Sequence, residues 1–226
     1  GDKTEYLSLD IRDGKARNIT AELGVEVARI AYSLGDSNVL YALTTTHELR
    51  RLNLASATVS GPLAGNVADF AVNEERLVAY TTLPDGDGAR TVGYITGGNS
   101  KAKTIATYQA LGTAALRVAT GSYYGEHYVA IAHGEALDIL RGSLPSSDTS
   151  DKLALTKVAG LTIAGGSDYI GFAPGTNRIL YAARDAKIVT YDLELQTNAT
   201  VALQSPLTRD VEWLDNYHIF ATGNTS

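Results

Sequence analysis

Five short apolar segments of one shape recur along the chain: VLYAL (39–43), LVAYT (77–81), YVAIA (128–132), ILYAA (179–183) and HIFAT (218–222). They align without gaps, and their centres, Tyr41, Ala79, Ala130, Tyr181 and Phe220, lie 38, 51, 51 and 39 residues apart. A second marker keeps the same period. Leu23, Leu63, Leu111, Leu161 and Leu207 end the alternating stretches ITAEL, VSGPL, TYQAL, KVAGL and LQSPL, at spacings of 40, 48, 50 and 46. Such self-similarity restricts the chain to a repeat architecture, in which each unit buries its apolar surface against its neighbours.

Within a repeat the pattern is that of four strands. VARIAYSL (27–34) leads through Gly35-Asp36-Ser37-Asn38 into VLYALTT (39–45), followed by ELRRLNL (48–54) and ATVSGPL (57–63). The turns are rich in residues that tolerate positive φ or pre-set a bend. No stretch sustains a helical apolar period. The chain is therefore expected to be all-β: a β-propeller of four-stranded antiparallel blades, with about twenty strands and no helix beyond two turns. A single domain over 1–226 would hold about five blade-equivalents, at 24–63, 64–111, 112–161, 162–207, and 1–23 together with 208–226. The first strands (VARIAY, VADFAV, AALRVA, DYIGFA, DVEWL) would line the central channel, and the VLYAL-like second strands would sit mid-blade. EYLSLDI (5–11) and ARNITAEL (16–23) match third and fourth strands, whereas DVEWLDN (210–216) and YHIFATG (217–223) match first and second. The ends would then either close a five-blade ring or belong to a larger propeller. Tyr41, Val78, Val129, Tyr181, Ile219 and the repeat-closing Leu63, Leu111 and Leu207 are expected to be buried.

Composition narrows the function classes. The net charge of −6 argues against a nucleic-acid or anionic-membrane surface. There is no cysteine, hence no disulfide and no thiolate metal site. No apolar run approaches a membrane span, and no signal-peptide pattern opens the chain. It starts on GDKTEYLSLD without a methionine, as a fragment or processed form would.

The runs YVAIAHGEALDILRGSLP (128–145), NVLYALTTTHELRRLNL (38–54) and VEWLDNYHIF (211–220), with KTEYLSLD (3–10) and YDLE (191–194), carry a family resemblance. The chain resembles the C-terminal propeller region, of WD40/TolB-like repeats, in membrane-anchored PEGA-domain proteins of ultrasmall candidate-phylum bacteria. Such proteins run from a short cytoplasmic start through one membrane helix and a PEGA domain to a propeller outside the membrane. The resemblance thus implies a surface-exposed fragment of a membrane-anchored parent, on the outer face of the cell membrane, and a ring of more than five blades in that parent. It transfers no active-site residue.

Each candidate for chemistry has a plainer structural reading. Of the four histidines, His127 and His133 stand six apart, about 20 Å along a strand, too far to share a metal. His47 and His133 fall at turns, and His218 aligns with packing positions, so all four read as structural. PDGDGAR (84–90) looks like part of a calcium loop but lacks the further oxygen ligands and the bidentate glutamate, and reads as a hairpin loop. No G-x-S-x-G elbow is present, and the lone Trp213 excludes a series of sialidase-type Asp boxes. Glu74-Glu75 reads as a solvated turn, and GSLPSSDTSDK (142–152) as a hairpin tip or a partner-contact loop. Asn18, Asn198 and Asn224 each begin an N-x-Ser/Thr acceptor tripeptide.

Two functions follow. The first is a non-enzymatic cell-surface interaction module without metal or organic cofactor, engaging a protein or glycan partner over a broad surface. The second is an extracellular ligand-binding or glycan-active propeller, whose site would be acids at the channel mouth. Asp69, Asp168, Asp210 and Glu212, near the starts of the first strands, are the residues that would form it.

Overall fold

The structure is a computed structural model, and it describes residues 5–9, 13–33, 35–73, 77–96, 99–109, 111, 115–143, 155–174, 178–213 and 218–223. Twenty strands form among them. Two short ones, β1 (Leu7–Leu9) and β2 (Ala16–Asn18), pair with each other. Four four-stranded antiparallel sheets follow in chain order. The first holds β3 (Val27–Tyr32), β4 (Val39–Thr44), β5 (Leu49–Asn53) and β6 (Thr58–Val59). The second holds β7 (Val67–Val72), β8 (Val78–Thr82), β9 (Arg90–Thr96) and β10 (Asn99–Tyr108). β11 (Leu116–Tyr123), β12 (Glu126–His133), β13 (Ala136–Gly142) and β14 (Thr156–Thr162) make the third. β15 (Tyr169–Phe172), β16 (Ile179–Arg184), β17 (Lys187–Asp192) and β18 (Thr197–Ala202) make the fourth, and β19 (Leu207–Trp213) pairs with β20 (Ile219–Gly223).

The repeated apolar segment is the second strand of each sheet, and its burial explains its composition. β4 is buried at all six positions. A strand side chain changes face at every residue, and here both faces meet a neighbouring sheet. Leu40 and Ala42 turn back toward the β1–β2 unit, packing with Ile19 and Leu23, while Val39, Tyr41 and Leu43 face Phe70, Val78 and Tyr80 of the second sheet. In β12, Val129 and Ile131 face the second sheet, and Tyr128, Ala130 and Ala132 face Phe172, Leu180 and Tyr191 of the fourth. β16 repeats the division, with Leu180 and Ala182 on one side and Tyr181 and Ala183 toward Val211 on the other. The core is thus a series of layers between sheets, and the sheets stand side by side in sequence order. First strands meet across the centre: β3 packs on β7, β7 on β11, β11 on β15 and β15 on β19.

Four expectations need correction. ITAEL is no strand: Ile19–Leu23 forms one short helix, α1, because the Asn18 side chain accepts the Ala21 amide as an N-cap and Gly24, at φ 63°, closes it in the left-handed region. Leu63, Leu111 and Leu207 are half-buried, packing only against the edges of the clusters between sheets. Ile219 is half-buried and Phe220 is 51% exposed. The reason is that β19–β20 remains a two-stranded sheet, hydrogen-bonded to neither β1 nor β2, so the terminal strands do not close one blade among the described residues. His218 is exposed.

Candidate functional site

The first strands begin at one end of the molecule, and three of them put a charged residue at the same step of the repeat: Arg29 in VARIA, Asp69 in VADFA and Arg117 in ALRVA. In β3 and β7 the pairing register slips just before this position, between Val27 and Arg29 and between Val67 and Asp69. A bulge of this kind re-aims the side chain that follows it. The three side chains line one cavity of about 320 Å³, together with Val118, Asp168, Tyr169, Ile170, Tyr181 and Val211.

Asp69 is the hub of this mouth. It is 8% exposed. Its carboxylate accepts from Arg29 of β3, from the Phe70 amide at 2.9 Å and from the Val118 amide of β11, and Arg117 lies 3.9 Å away. One carboxylate therefore ties three sheets together. Burial pushes its carboxyl above the usual aspartate range, and Arg29, Arg117 and the two amides pull it back only in part. Arg29 also lies over the Phe70 ring, 5.3 Å from its centroid. Two guanidiniums thus share a single carboxylate, and the buried Nε–H of Arg117 has no acceptor.

Of the four acids singled out in the sequence, Asp69 and Asp168 reach this cavity. Asp168 is 3.7 Å from Arg184, which also lies 3.8 Å from Asp185. Asp210 and Glu212 lie on β19, and their side chains fall outside the described residues. Sequence reasoning watched the acids and missed the arginines. The signal was present in the Arg, Asp, Arg order at one repeat position.

The other candidates resolve into local structure. Asp85 of the PDGDGAR loop spends its carboxylate on the amides of Asp87 and Ala89, at 3.0 and 2.8 Å, which shapes a hairpin loop between β8 and β9. His127 is 1% exposed, with Asn73 Nδ2 at 2.9 Å from its Nδ1. The Asn73 carbonyl already accepts the Leu77 amide, so its amide group donates to His127. His133 lies 3.4 Å from Asp138 and stacks at 4.4 Å on Tyr108, whose hydroxyl is pushed up to about 12 by burial and then by Asp138. His47 Nδ1 is 3.1 Å from the Val67 carbonyl, in a turn. No group of three or more His, Cys, Asp or Glu side chains placed to hold a metal exists among the described residues. Asn18 caps α1, Asn198 is exposed on β18, and Asn224, Glu74, Glu75 and 144–152 lie outside the described residues. No described helix is long and apolar enough to cross a membrane.

Comparison of the fold defines the class: this is a β-propeller architecture. It is similar to the β-propeller domain of Cps50 (Swd1) from Myceliophteria thermophila, with a TM-score of 0.66 at 10% identity over 97% of this chain and 73% of that one. A chain of the mitotic checkpoint complex matches with a TM-score of 0.61 at 14% identity, over 97% of this chain and 64% of its own length. WD40-repeat domains are also among the matches. Dihydro-heme d1 dehydrogenase NirN, solved in complex with DHE, matches with a TM-score of 0.52 at 16% identity, over 79% of this chain and 37% of its own. No protein-family model and no curated protein matches the sequence.

Proposed function

We propose that this chain is a non-enzymatic interaction scaffold that receives a partner protein at the mouth where its first strands begin. One observation carries the reading: the buried acid of the mouth, Asp69, is held by Arg29, Arg117 and two backbone amides. A general acid or base must be able to reach substrate, and this carboxylate is already committed to holding three sheets. What the mouth does offer is the outer edge of the Arg117 guanidinium, a side chain 40% exposed whose Nε–H is buried beneath it. A guanidinium edge suits a carboxylate bidentately, so the partner group that fits here is an aspartate, a glutamate or a chain terminus. The β-propeller architecture and the likeness to WD40-repeat domains and to a chain of the mitotic checkpoint complex support an interaction role.

The same proposal extends to placement. The runs that resemble PEGA-domain proteins support a position on the outer face of the cell membrane, as part of a membrane-anchored parent, where a protein or a glycan would be the partner and Asn198 an accessible acceptor for modification. Protease shaving of intact cells, followed by detection of the released propeller, checks that placement.

A second reading is kept for one reason: Asp69 is a carboxyl of raised pKa on a cavity wall, the signature also of reactive acids. It would make the mouth a ligand-binding or glycan-active site. A random-peptide display selection against the purified chain, beside a hydrolase panel, separates the two. The scaffold reading expects enrichment of acidic peptides, with binding weakened about tenfold or more by Arg117→Ala. Absence of enrichment, or turnover that disappears in Asp69→Asn, overturns it.

A further inference from the structure

The opposite end of the blades presents a feature that the fold does not require. Tyr123 of β11 pairs directly with Glu126 of β12, leaving a two-residue turn, Tyr124-Gly125. Both turn residues have positive φ, 50° and 74°. This is the backbone of a type I′ turn, whose first position favours asparagine, aspartate or glycine. A tyrosine held there carries a backbone strain that asparagine or glycine would not. Its side chain returns nothing to the core, being 86% exposed.

The ring is nonetheless held on a fixed support. It lies against Tyr123, with centroids 4.5 Å apart. The Tyr123 hydroxyl donates to Glu194 at 3.2 Å, across to the neighbouring sheet. Glu194 pairs with Arg178 at 2.8 Å, and Arg178 grips Asp192 through Nε and a terminal nitrogen. Asp192 in turn accepts the amides of Glu194 and Leu195, at 2.9 and 3.0 Å, which sets the turn between β17 and β18. That turn displays Leu195, 62% exposed. Two turns from adjacent sheets thus hold an outward tyrosine and an outward leucine on one hydrogen-bonded platform.

The charge around them decides what they would meet. Among the described residues, Glu126, Asp192 and Glu194 stand here against the guanidiniums of Arg178 and of Arg141, which pairs with Tyr128 on the next strand. The surplus is negative, which repels anionic lipid and nucleic acid and favours a cation. An exposed aromatic face beside carboxylates is a seat for lysine or arginine, and preorganised aromatic anchors are what make hot spots at interfaces.

We propose that this end is a second docking surface, for a lysine- or arginine-bearing segment of a partner protein, whose cation stacks on Tyr124 beside Glu126 and Glu194 while an apolar neighbour covers Leu195. It is independent of the mouth: Arg117 and Tyr124 lie near opposite ends of the same strand, on the order of 20 Å apart at strand rise. The interface tolerates a strained turn because the tyrosine is needed outside the fold.

The test uses the whole chain, the hexapeptide RLRLRL and its counterpart ELELEL, with amide NMR shifts as the readout. RLRLRL is expected to move the Tyr124, Gly125 and Leu195 amides, and ELELEL to leave them in place. Tyr124→Asn is expected to weaken RLRLRL binding at least fivefold while raising Tm, since asparagine suits the turn. Undiminished binding by Tyr124→Asn, a lowered Tm in that variant, or shifts from RLRLRL that fall at the channel mouth instead, would each overturn the proposal.

Discussion

Tyr80 of β8 lies directly across the ladder from Gly93 of β9, and its ring covers the place where a Cβ on residue 93 would stand. The same pairing recurs two sheets on, where Gly171 of β15 faces Tyr181 of β16 and a Cβ would come within 2.8 Å of the ring. In each case the second strand carries a large aromatic that folds over its partner strand, and only glycine leaves room beneath it.

Gly93→Ala should therefore destabilise the chain by about 1–3 kcal/mol, the usual cost of overpacking. Thermal melts should show Tm lowered by several degrees. Combining it with Tyr80→Val, which vacates the space, should recover part of the loss, because the two positions are coupled through direct contact. Additive losses would mean that the ring and the glycine do not share that space.

Leu180 gives the measure of the layer between the third and fourth sheets. It is fully buried and packs with Tyr128, Ala130, Leu137 and Phe172. Leu180→Ala should cost about 2–5 kcal/mol in urea unfolding. A loss below about 1 kcal/mol would place it outside a closed core.

What the sequence reveals here follows from which constraints are periodic. Burial on both faces of a mid-sheet strand writes itself as an unbroken apolar run, so Tyr41, Val129 and Tyr181 could be placed before any coordinates. Helix α1 escaped because Ile19, Ala21 and Leu23 alternate like a strand, while the deciding signals, the Asn18 cap and Gly24, act on the backbone alone. Phe220 looked like its counterparts in composition, but burial depends on a neighbouring sheet, which local pattern does not report. Half of the mouth was legible. Asp69 and Asp168 stood out as acids, yet Arg29 and Arg117 became meaningful only when adjacent first strands brought them to one carboxylate.

Asp69 should leave a mark on the pH dependence of stability. Burial raises its folded value above the ordinary aspartate pKa, so the folded chain holds the proton more tightly than the unfolded one. Its contribution is then greatest at acid pH and falls as pH rises from about 4 through the raised value. Urea midpoints of the native chain should decline relative to Asp69→Asn across that window. A relative gain would show that Arg29 and Arg117 outweigh burial.

Asp192 has the opposite sign. Hydrogen bonds from Arg178 above all, and from the amides of Leu195 and Glu194, hold its carboxyl below the usual range against some burial. Its stabilisation is complete above about pH 4 and disappears as pH falls through the folded value. Arg178→Met should be less stable than the native chain at pH 7, and that gap should shrink in unfolding curves taken near pH 3. A gap independent of pH would mean that Arg178 acts through packing and not through Asp192.

The mouth as a place of recognition is tested most directly at Arg117 itself. Its Nε–H is buried without an acceptor in the free chain, and its resonance reports on the exposed terminal nitrogens of the same guanidinium. Titrating ¹⁵N-labelled protein with a glutamate-rich hexapeptide should shift that resonance in a saturable, salt-sensitive way, and Arg29→Ala should weaken the effect without abolishing it. Peptide binding that leaves the Arg117 resonance unmoved, or a resonance that is indifferent to every acidic peptide, would contradict a carboxylate-reading mouth.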